Sequence, residues 1–291
     1  MSGFLRGTGV ALATPFNDDG SIDYKGLTSL VEFCVQGKVE YLVVLGTTAE
    51  SVTLTKKEKK EVVAHIVKIN NKRLPLVIGI GGNNTSAILD EIKDTDVSDF
   101  AAILSVVPMY NKPSQEGIFQ HYKVINDHSP LPVLLYNVPS RTGVNMTAET
   151  TLRLAELDKI VGVKEATGDF TQVLQILKDR PKDFLVISGD DALALPAVVA
   201  GGDGVISVVG QGFPIEFSEM IRLGLSRQVD QAYEILYSLL PVLEYAFAEG
   251  NPAGIKSILK SKSICNDTVR LPLVSVSDEL QQKIQAYIQS N

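Results

Sequence analysis

The chain has 291 residues, of which 45% are hydrophobic and 21% are charged, ordinary values for a globular protein with a sizeable core. Its formal net charge of −7 argues against a nucleic-acid-binding protein, which would usually carry a basic face. No apolar run approaches the roughly 20 residues that a membrane helix needs, so we expect no membrane association. Cys34 and Cys265 lie far apart without a CxxC motif, which predicts a reducing, cytoplasmic environment.

The N-terminal segment MSGFLRGTGVALATPF lacks the apolar core of a signal peptide, and we interpret it as the first strand. Short β-branched runs then recur, each followed by a turn and a helical pattern. We predict strands at residues 8–13, 41–45, 76–80, 100–106, 132–136, 160–164, 184–188 and 204–208. Their continuous apolar character favours parallel strands buried on both faces.

Eight strands alternating with helices predict an α/β fold, a (β/α)8 TIM barrel with a C-terminal helical extension. A doubly wound open sheet is the alternative. From Pro214 to Asn291 the pattern is purely helical and too long for one closing helix. We therefore predict a barrel catalytic domain at residues 1–224 and a C-terminal helical domain at residues 225–291. Functional residues of a barrel lie at the C-terminal ends of its strands.

The segment LGTTAES (45–51) follows the second predicted strand. Its glycine, the hydroxyls of Thr47 and Thr48, and the turn amides suit a carboxylate or phosphate. The alternative is that these residues only cap the next helix. Tyr110 follows the fourth strand in the turn-rich segment VPMYNKPSQEG, where it is either functional or part of the surface packing.

The segment LLYNVPSRTG (134–143) contains the end of the fifth strand. Tyr136 ends that strand and Arg141 lies just beyond a proline turn. A tyrosine can relay protons, and an arginine can hold a carboxylate with two hydrogen bonds. Taken singly, the two residues are equally consistent with a core tyrosine and a solvated loop arginine.

The segment VGVKEATGD (161–169) places one lysine, Lys164, in an otherwise apolar strand. If Val161 and Val163 face the surrounding helices, alternation directs Gly162 and Lys164 into the barrel. The charged form of a lysine is disfavoured in a dry interior, and its neutral amine is a nucleophile toward a carbonyl. The alternative is an exposed pair of Lys164 and Glu165 at a frayed strand end.

Asp190 and Asp191 follow the seventh strand, and adjacent aspartates at this place favour helix caps over a metal site. His65, His121 and His128 show no spacing typical of metal ligands. The segment GIGGNN (79–84) lacks both the P-loop and the complete dinucleotide-binding motif. The sequence therefore predicts neither a metal nor a nucleotide.

Considered together, the segments resemble the dihydrodipicolinate synthase family of the pyruvate-dependent class I aldolases. The resemblance extends from GTGVALATPF through GTTAES, YNKPSQEG, YNVPSRTG, GVKEATGD, SGDD and GVISV to EGNPAGIK and LRLPL. It implies the barrel with helical extension and an enzyme that condenses pyruvate with L-aspartate 4-semialdehyde in diaminopimelate and lysine biosynthesis. No metal or dissociable cofactor is implied.

The resemblance also implies catalytic roles. Lys164 forms a Schiff base with pyruvate. Tyr136 relays protons and is linked through Thr48 to Tyr110, which comes from a neighbouring subunit. The shared site requires at least a dimer, and the resemblance implies a homotetramer built as a dimer of dimers.

The same family pattern assigns substrate binding. Thr47 and Thr48 receive the carboxylate of pyruvate, and the backbone of Gly189 and Ile206 borders its pocket. Arg141 holds the carboxylate of the semialdehyde at the mouth of the barrel. Other pyruvate aldolases such as N-acetylneuraminate lyase generally lack this arginine, so Arg141 favours the synthase. An inactive barrel that serves as a scaffold is the remaining alternative.

The chain departs from the family pattern at a few positions. Ala49 replaces a glycine that usually follows the two threonines. Feedback-regulated members bind free lysine at positions that match Ser51, Lys56, Asn83, Ala87 and Met109 here. Alanine at 87 removes a carboxylate, methionine at 109 removes a hydroxyl, and Lys56 adds a second cation. The pattern thus predicts weak or absent inhibition by lysine.

Overall fold

Eight parallel strands close into a barrel in the computed structural model, which describes residues 3–290. The strands are β1 (Gly7–Ala11), β2 (Tyr41–Val44), β3 (Leu76–Gly79), β4 (Ala102–Val106), β5 (Val133–Asn137), β6 (Ile160–Glu165), β7 (Leu185–Ser188) and β8 (Gly204–Ser207). All eight predicted strands are confirmed, and no end differs by more than two residues. Because β8 pairs with β1, the open doubly wound sheet is wrong.

Helices cover the outside of the barrel and continue beyond β8. They are α1 (Tyr24–Gln36), α2 (Lys56–Asn70), α3 (Thr85–Asp94), α4 (Gln115–His128), α5 (Pro139–Thr142), α6 (Ala148–Leu154), α7 (Phe170–Asp179), α8 (Ala194–Val199), α9 (Pro214–Leu225), α10 (Val229–Ala248), α11 (Ala253–Ser261) and α12 (Asp278–Ser290). Polar side chains cap the starts of several of them; at α2, Thr55 and Glu58 form a capping box. No helix within residues 3–290 is long and apolar enough to cross a membrane.

The barrel closes along the seam between β1 and β8, where Gly7 pairs with Gly204. Gly204 has a φ of 152°, and a Cβ at this position would lie 2.0 Å from the carbonyl oxygen of Gly7. Only glycine permits this conformation and this close approach. Beside the seam, Arg6 Nη2 donates to Asp203 Oδ1 at 2.8 Å.

A bulge in β6 decides which side chains point into the barrel. The pairing of β5 and β6 shifts between Val133 and Leu134, so that one residue of β6 has no partner in the register. Val161 consequently packs against the interior cluster, and the prediction that it faces the helices is wrong. Val163 packs in the outer cluster as predicted, and alternation then directs Lys164 inward.

The helices after β8 share an apolar cluster with the end of the barrel. This cluster contains Leu195 of α8, Phe217 of α9, Leu239 of α10, Ile258 of α11 and Ile284 of α12. The C-terminal helices therefore lie directly against the barrel's last helix. The division at residue 224 stays a prediction, and residues 1, 2 and 291 within it lie outside the described residues.

Candidate active site

A cavity of about 940 Å³ opens at the C-terminal ends of the strands. Loops after β2, β4, β5, β6 and β7 contribute to its wall. Of the predicted site residues, it is lined by Thr47, Thr48, Tyr136, Arg141, Lys164 and Gly189. The fold therefore brings together side chains that are far apart in the sequence, at the place where barrels carry their functional groups.

Lys164 is a buried lysine beside an aromatic ring. Its side chain is on β6 and only 5% of the residue is exposed. Its Nζ lies 4.2 Å from the ring centroid of Tyr136, which is its register partner on β5. Glu165 points to the other side of the strand and bonds to Asn137. The alternative of an exposed Lys164–Glu165 pair is therefore wrong.

Gly189 provides the space that the lysine side chain occupies. A Cβ on Gly189 would lie 3.0 Å from Lys164 Cε and 2.7 Å from the Cβ of Ala166. Both distances are at or below the limit of ordinary carbon contacts. The amide of Gly189 also donates to the carbonyl of Glu165 at 2.7 Å, which joins the ends of β6 and β7. A side chain at position 189 would thus displace the lysine or separate the strands.

Asn251, which the sequence did not single out, connects two of the predicted residues. Its Nδ2 donates to Thr48 Oγ1 at 3.0 Å, and its carbonyl accepts from Arg141 Nη2 at 3.2 Å. The residue is buried between α10 and α11 and lines the cavity. The only signal in the sequence was its place within the EGNPAGIK segment. Asn251 thus fixes the position of both a hydroxyl and a guanidinium.

Glu50 anchors the turn that carries Thr48. It has a left-handed φ of 53° directly after the 3₁₀ turn Thr47–Ala49. Its carboxylate accepts from Lys256 Nζ at 2.5 Å and from the amide of Arg270 at 2.9 Å. Burial lowers the pKa of Lys256, and the attraction of Glu50 opposes this shift. Two residues from the C-terminal helical region therefore hold the turn that carries Thr48.

Asp190 and Asp191 have different structural roles. Asp190 Oδ1 accepts from the amides of Ala192 and Leu193, in the turn before α8. The N-cap of α8 is Leu193, without a side-chain hydrogen bond, so the predicted helix cap is wrong for this residue. Asp191 Oδ2 instead accepts from the amides of Val208 and Val209 after β8, and the prediction that it caps a helix is wrong. Burial raises the pKa of Asp191 to about 6.

Two of the three histidines form structural hydrogen bonds with threonine hydroxyls. His65 Nε2 lies 2.8 Å from the hydroxyl of Thr28, and His121 Nδ1 lies 2.8 Å from that of Thr85. Burial lowers the pKa of His121 to about 4. Across the described part of the chain, no group of three or more His, Cys, Asp or Glu side chains could hold a metal ion.

Two predicted site residues do not line the cavity. Tyr110 is 89% exposed and has a φ of 69°, in the loop after β4. Ile206 is fully buried in the interior cluster that also contains Tyr136. Two residues further along the chain, Val208 lines the cavity instead. The single chain thus places Tyr110 on its surface and Ile206 in the barrel core.

A (β/α)8 barrel with a lysine buried beside a tyrosine at its C-terminal mouth defines a lyase of the aldolase type. The sequence profile of the dihydrodipicolinate synthetase family matches residues 4–291. The chain belongs to this family.

Similar proteins match over nearly the whole chain. A protein of Flavobacterium psychrophilum named 4-hydroxy-tetrahydrodipicolinate synthase is 54% identical over 288 residues, which cover 99% of this chain and 98% of the relative. A protein of the same name from Parabacteroides distasonis is 50% identical over 281 residues, 96% and 95% of the two chains.

Solved structures agree with the fold in the same way. The chloride-inhibited dihydrodipicolinate synthase from Acinetobacter baumannii, described as complexed with pyruvate, has a TM-score of 0.95 at 35% identity and covers 98% of each chain. The enzyme from Cyanidioschyzon merolae, described with lysine bound, has a TM-score of 0.94 at 34% identity and covers 99% of this chain and 98% of its own.

Proposed function

We propose that this enzyme condenses pyruvate with L-aspartate 4-semialdehyde in diaminopimelate and lysine biosynthesis, with Lys164 as the residue that forms a Schiff base. One observation carries the proposal: a lysine that is 5% exposed at the mouth of the barrel, with its Nζ over the ring of Tyr136. Among residues 3–290, no carboxylate forms an ion pair with it. A structural lysine at such depth would need an anionic partner.

The proposed reaction begins when the neutral amine of Lys164 attacks the ketone of pyruvate and water leaves. The protonated imine then withdraws electrons, so that a methyl proton is lost and an enamine forms. The enamine carbon adds to the aldehyde of the second substrate. The amine of that substrate finally attacks the imine carbon, closes the ring and releases Lys164.

Proton transfers in this sequence are assigned to a relay of Tyr136, Thr48 and Tyr110. Tyr136 and Thr48 line the cavity, which supports their part of the relay. Tyr110 does not line it and is 89% exposed. Such a residue is suited to complete the site of a second subunit across an isologous interface. We accordingly propose a homotetramer built from two such dimers.

Substrate binding is assigned to the residues around the relay. Thr47 and Thr48 are proposed to receive the carboxylate of pyruvate beside Gly189. Arg141, held by the carbonyl of Asn251, is proposed to bind the carboxylate of the semialdehyde. The backbone of Gly189 and Ile206 was expected to border the pyruvate pocket, and the position of Val208 in the cavity wall favours the residues just after Ile206 for this place.

Two further expectations, on regulation and on location, belong to the proposal, and the relatives bear on the alternatives to it. Lysine should inhibit weakly, since Ala87 and Met109 offer no charged or hydroxyl group to it. A cytoplasmic location follows from the two unpaired thiols of Cys34 and Cys265. The relatives' names favour the synthase over N-acetylneuraminate lyase and over an inactive scaffold.

Borohydride reduction tests the central step. With pyruvate present, it should leave a reduced adduct on Lys164 and inactivate the enzyme. Peptide mass spectrometry locates the label, and Lys159→Arg, a change at another lysine outside the cavity, serves as the control. A label on a different lysine, or turnover with N-acetylmannosamine but not with the semialdehyde, would contradict the proposal.

A further inference from the structure

The strand residues that follow Tyr136 and Lys164 form a second pair on the opposite face of the barrel wall. Asn137 and Glu165 are register partners, as are the two residues before them. Asn137 Nδ2 donates to both carboxylate oxygens of Glu165, at 3.0 and 3.1 Å. Both side chains are buried. The inner pair and the outer pair are thus fixed by the same two strand ends.

The carboxylate of Glu165 also holds the elements around the two strands. Its Oε1 accepts from the amide of Thr167 at 2.9 Å, in the turn after β6. Its Oε2 accepts from Gln172 Nε2 on α7 at 3.0 Å. On the far side, Asn137 Oδ1 accepts from the amide of Met146 at 3.0 Å. One carboxylate therefore joins β5, the turn after β6, and α7.

The groups that face this carboxylate are neutral donors. They are the amides of Asn137 from β5, of Gln172 from α7, and of the backbone at Thr167. A second, small cavity lies beside Glu165, and Asp190, on the loop after β7, is the other charged side chain that lines it. Lys164 lies on the inner face. Burial without a cation raises the pKa of Glu165 to about 7.

We propose that Glu165 is a positioning residue for Lys164. Through its hydrogen bonds with Asn137, Glu165 holds the ends of β5 and β6 in the register that sets the Lys164 amine over the ring of Tyr136. This inference rests on the Schiff-base function proposed above. Protonation of the carboxyl would turn one acceptor into a donor that faces other donors. The outer contacts would then loosen, and the amine would lose its place in the cavity.

Glu165→Gln tests the inference in the full-length chain, because the amide has the same shape but replaces one acceptor oxygen with a donor that faces other donors. The measured quantity is the rate of borohydride-trapped adduct formation with pyruvate from pH 6 to 8, together with kcat and KM for pyruvate. We expect the trapping rate to fall by about tenfold or more, since small displacements of a reacting group are costly. In the wild type, the trapping rate should decrease as the pH falls through about 7, where Glu165 becomes protonated. This decrease should be absent in Glu165→Gln.

Two further variants make the result specific. Glu165→Asp keeps the carboxylate and should recover part of the rate and of its decrease at acid pH. Glu156→Gln, which changes an exposed carboxylate before β6, should leave the rate and its pH profile unchanged. Circular dichroism and thermal unfolding show whether each variant is folded.

A folded Glu165→Gln protein with the wild-type trapping rate and pH profile would overturn the inference. If that variant does not fold, Glu165→Asp decides: an unchanged rate and profile overturn it. A wild-type trapping rate that stays constant from pH 6 to 8 would also overturn the inference. Absence of any adduct on Lys164 in the wild type would instead refute the Schiff-base function itself.

Discussion

Lys256 Nζ lies 2.5 Å from Glu50 Oε1, and both side chains are almost fully removed from solvent. The contact joins α11 to the turn that presents Thr47 and Thr48 to the cavity. Lys256 Nζ also donates to the carbonyl of Thr268 at 2.8 Å, so that the ammonium is well satisfied. The position of this turn therefore depends on residues of the C-terminal helical region.

Breaking this pair should destabilise the protein. Lys256→Met leaves the Glu50 carboxylate buried without its cation, and removal of one partner of a buried pair costs about 3–5 kcal/mol. Urea unfolding measures the change. Lys283→Met, in the exposed pair with Glu279 on α12, is the control and should leave the urea unfolding midpoint nearly unchanged. Equal effects of the two substitutions would refute the structural importance of the buried pair.

Gly189→Ala should slow imine formation with pyruvate. The added methyl group would lie within 3.0 Å of Lys164 Cε and displace the amine. We expect a loss of roughly 10²-fold in the trapping rate. The matched control is Gly82→Ala, where a Cβ would meet nothing within 4 Å. Wild-type trapping by the Gly189 variant would show that the lysine side chain can move aside freely.

Arg141→Ala should separate the two substrates. Loss of a charged partner for a carboxylate should cost about 2–4 kcal/mol of transition-state stabilisation with the semialdehyde. Trapping with pyruvate alone should be largely retained. Steady-state kinetics and borohydride labelling measure the two effects. Should labelling fall as far as turnover does, Arg141 would be organising the whole pocket rather than one substrate.

Shared active sites can be detected by complementation. Tyr110→Phe and Tyr136→Phe should each be nearly inactive as pure proteins. In an equal mixture that is unfolded and refolded together, half of the dimers are mixed, and each has one complete site. About a quarter of wild-type activity should then return. No recovery in mixtures that sediment as dimers or tetramers would contradict the transfer of Tyr110 between subunits.

Lysine should have little effect on activity at millimolar concentration. Each missing charge-assisted hydrogen bond is worth about 1.5–3 kcal/mol, or more than tenfold in affinity. Ala87→Glu combined with Met109→Tyr should restore inhibition, as measured by the dependence of turnover on lysine. Ala87→Gln with Met109→Phe, which adds size without the charge and the hydroxyl, is the control. Strong inhibition of the unmodified enzyme at submillimolar lysine would disprove this prediction.

The strands were predictable because their apolar residues are continuous and their turns are marked by glycine and polar residues. The inward direction of Lys164 followed from alternation, but the bulge at Val161 did not, since a register shift depends on the neighbouring strand. The structure places Lys164 at the mouth of the barrel, and its catalytic role stays a prediction.

Contacts between distant segments could not be read from local patterns. Asn251 and Thr48 are 203 residues apart, and nothing near either residue indicates the hydrogen bond between them. Lys256 resembles any lysine in an amphipathic helix until α11 is placed against Glu50. Burial and pairing of such residues are decided by tertiary packing, which the sequence around them does not encode on its own.

The seam between β1 and β8 has a consequence for synthesis of the chain. Arg6 and Asp203, which meet beside the seam, are 197 residues apart. At about 5–20 residues per second, a ribosome needs roughly 10–40 s to produce the second after the first. During this time β1 and the newest strand both expose unpaired backbone groups, which are templates for pairing with other chains. A sheet that forms before β8 is available would therefore have two unpaired edges, and both edges are removed when β8 pairs with β1 at Gly204 and Gly7.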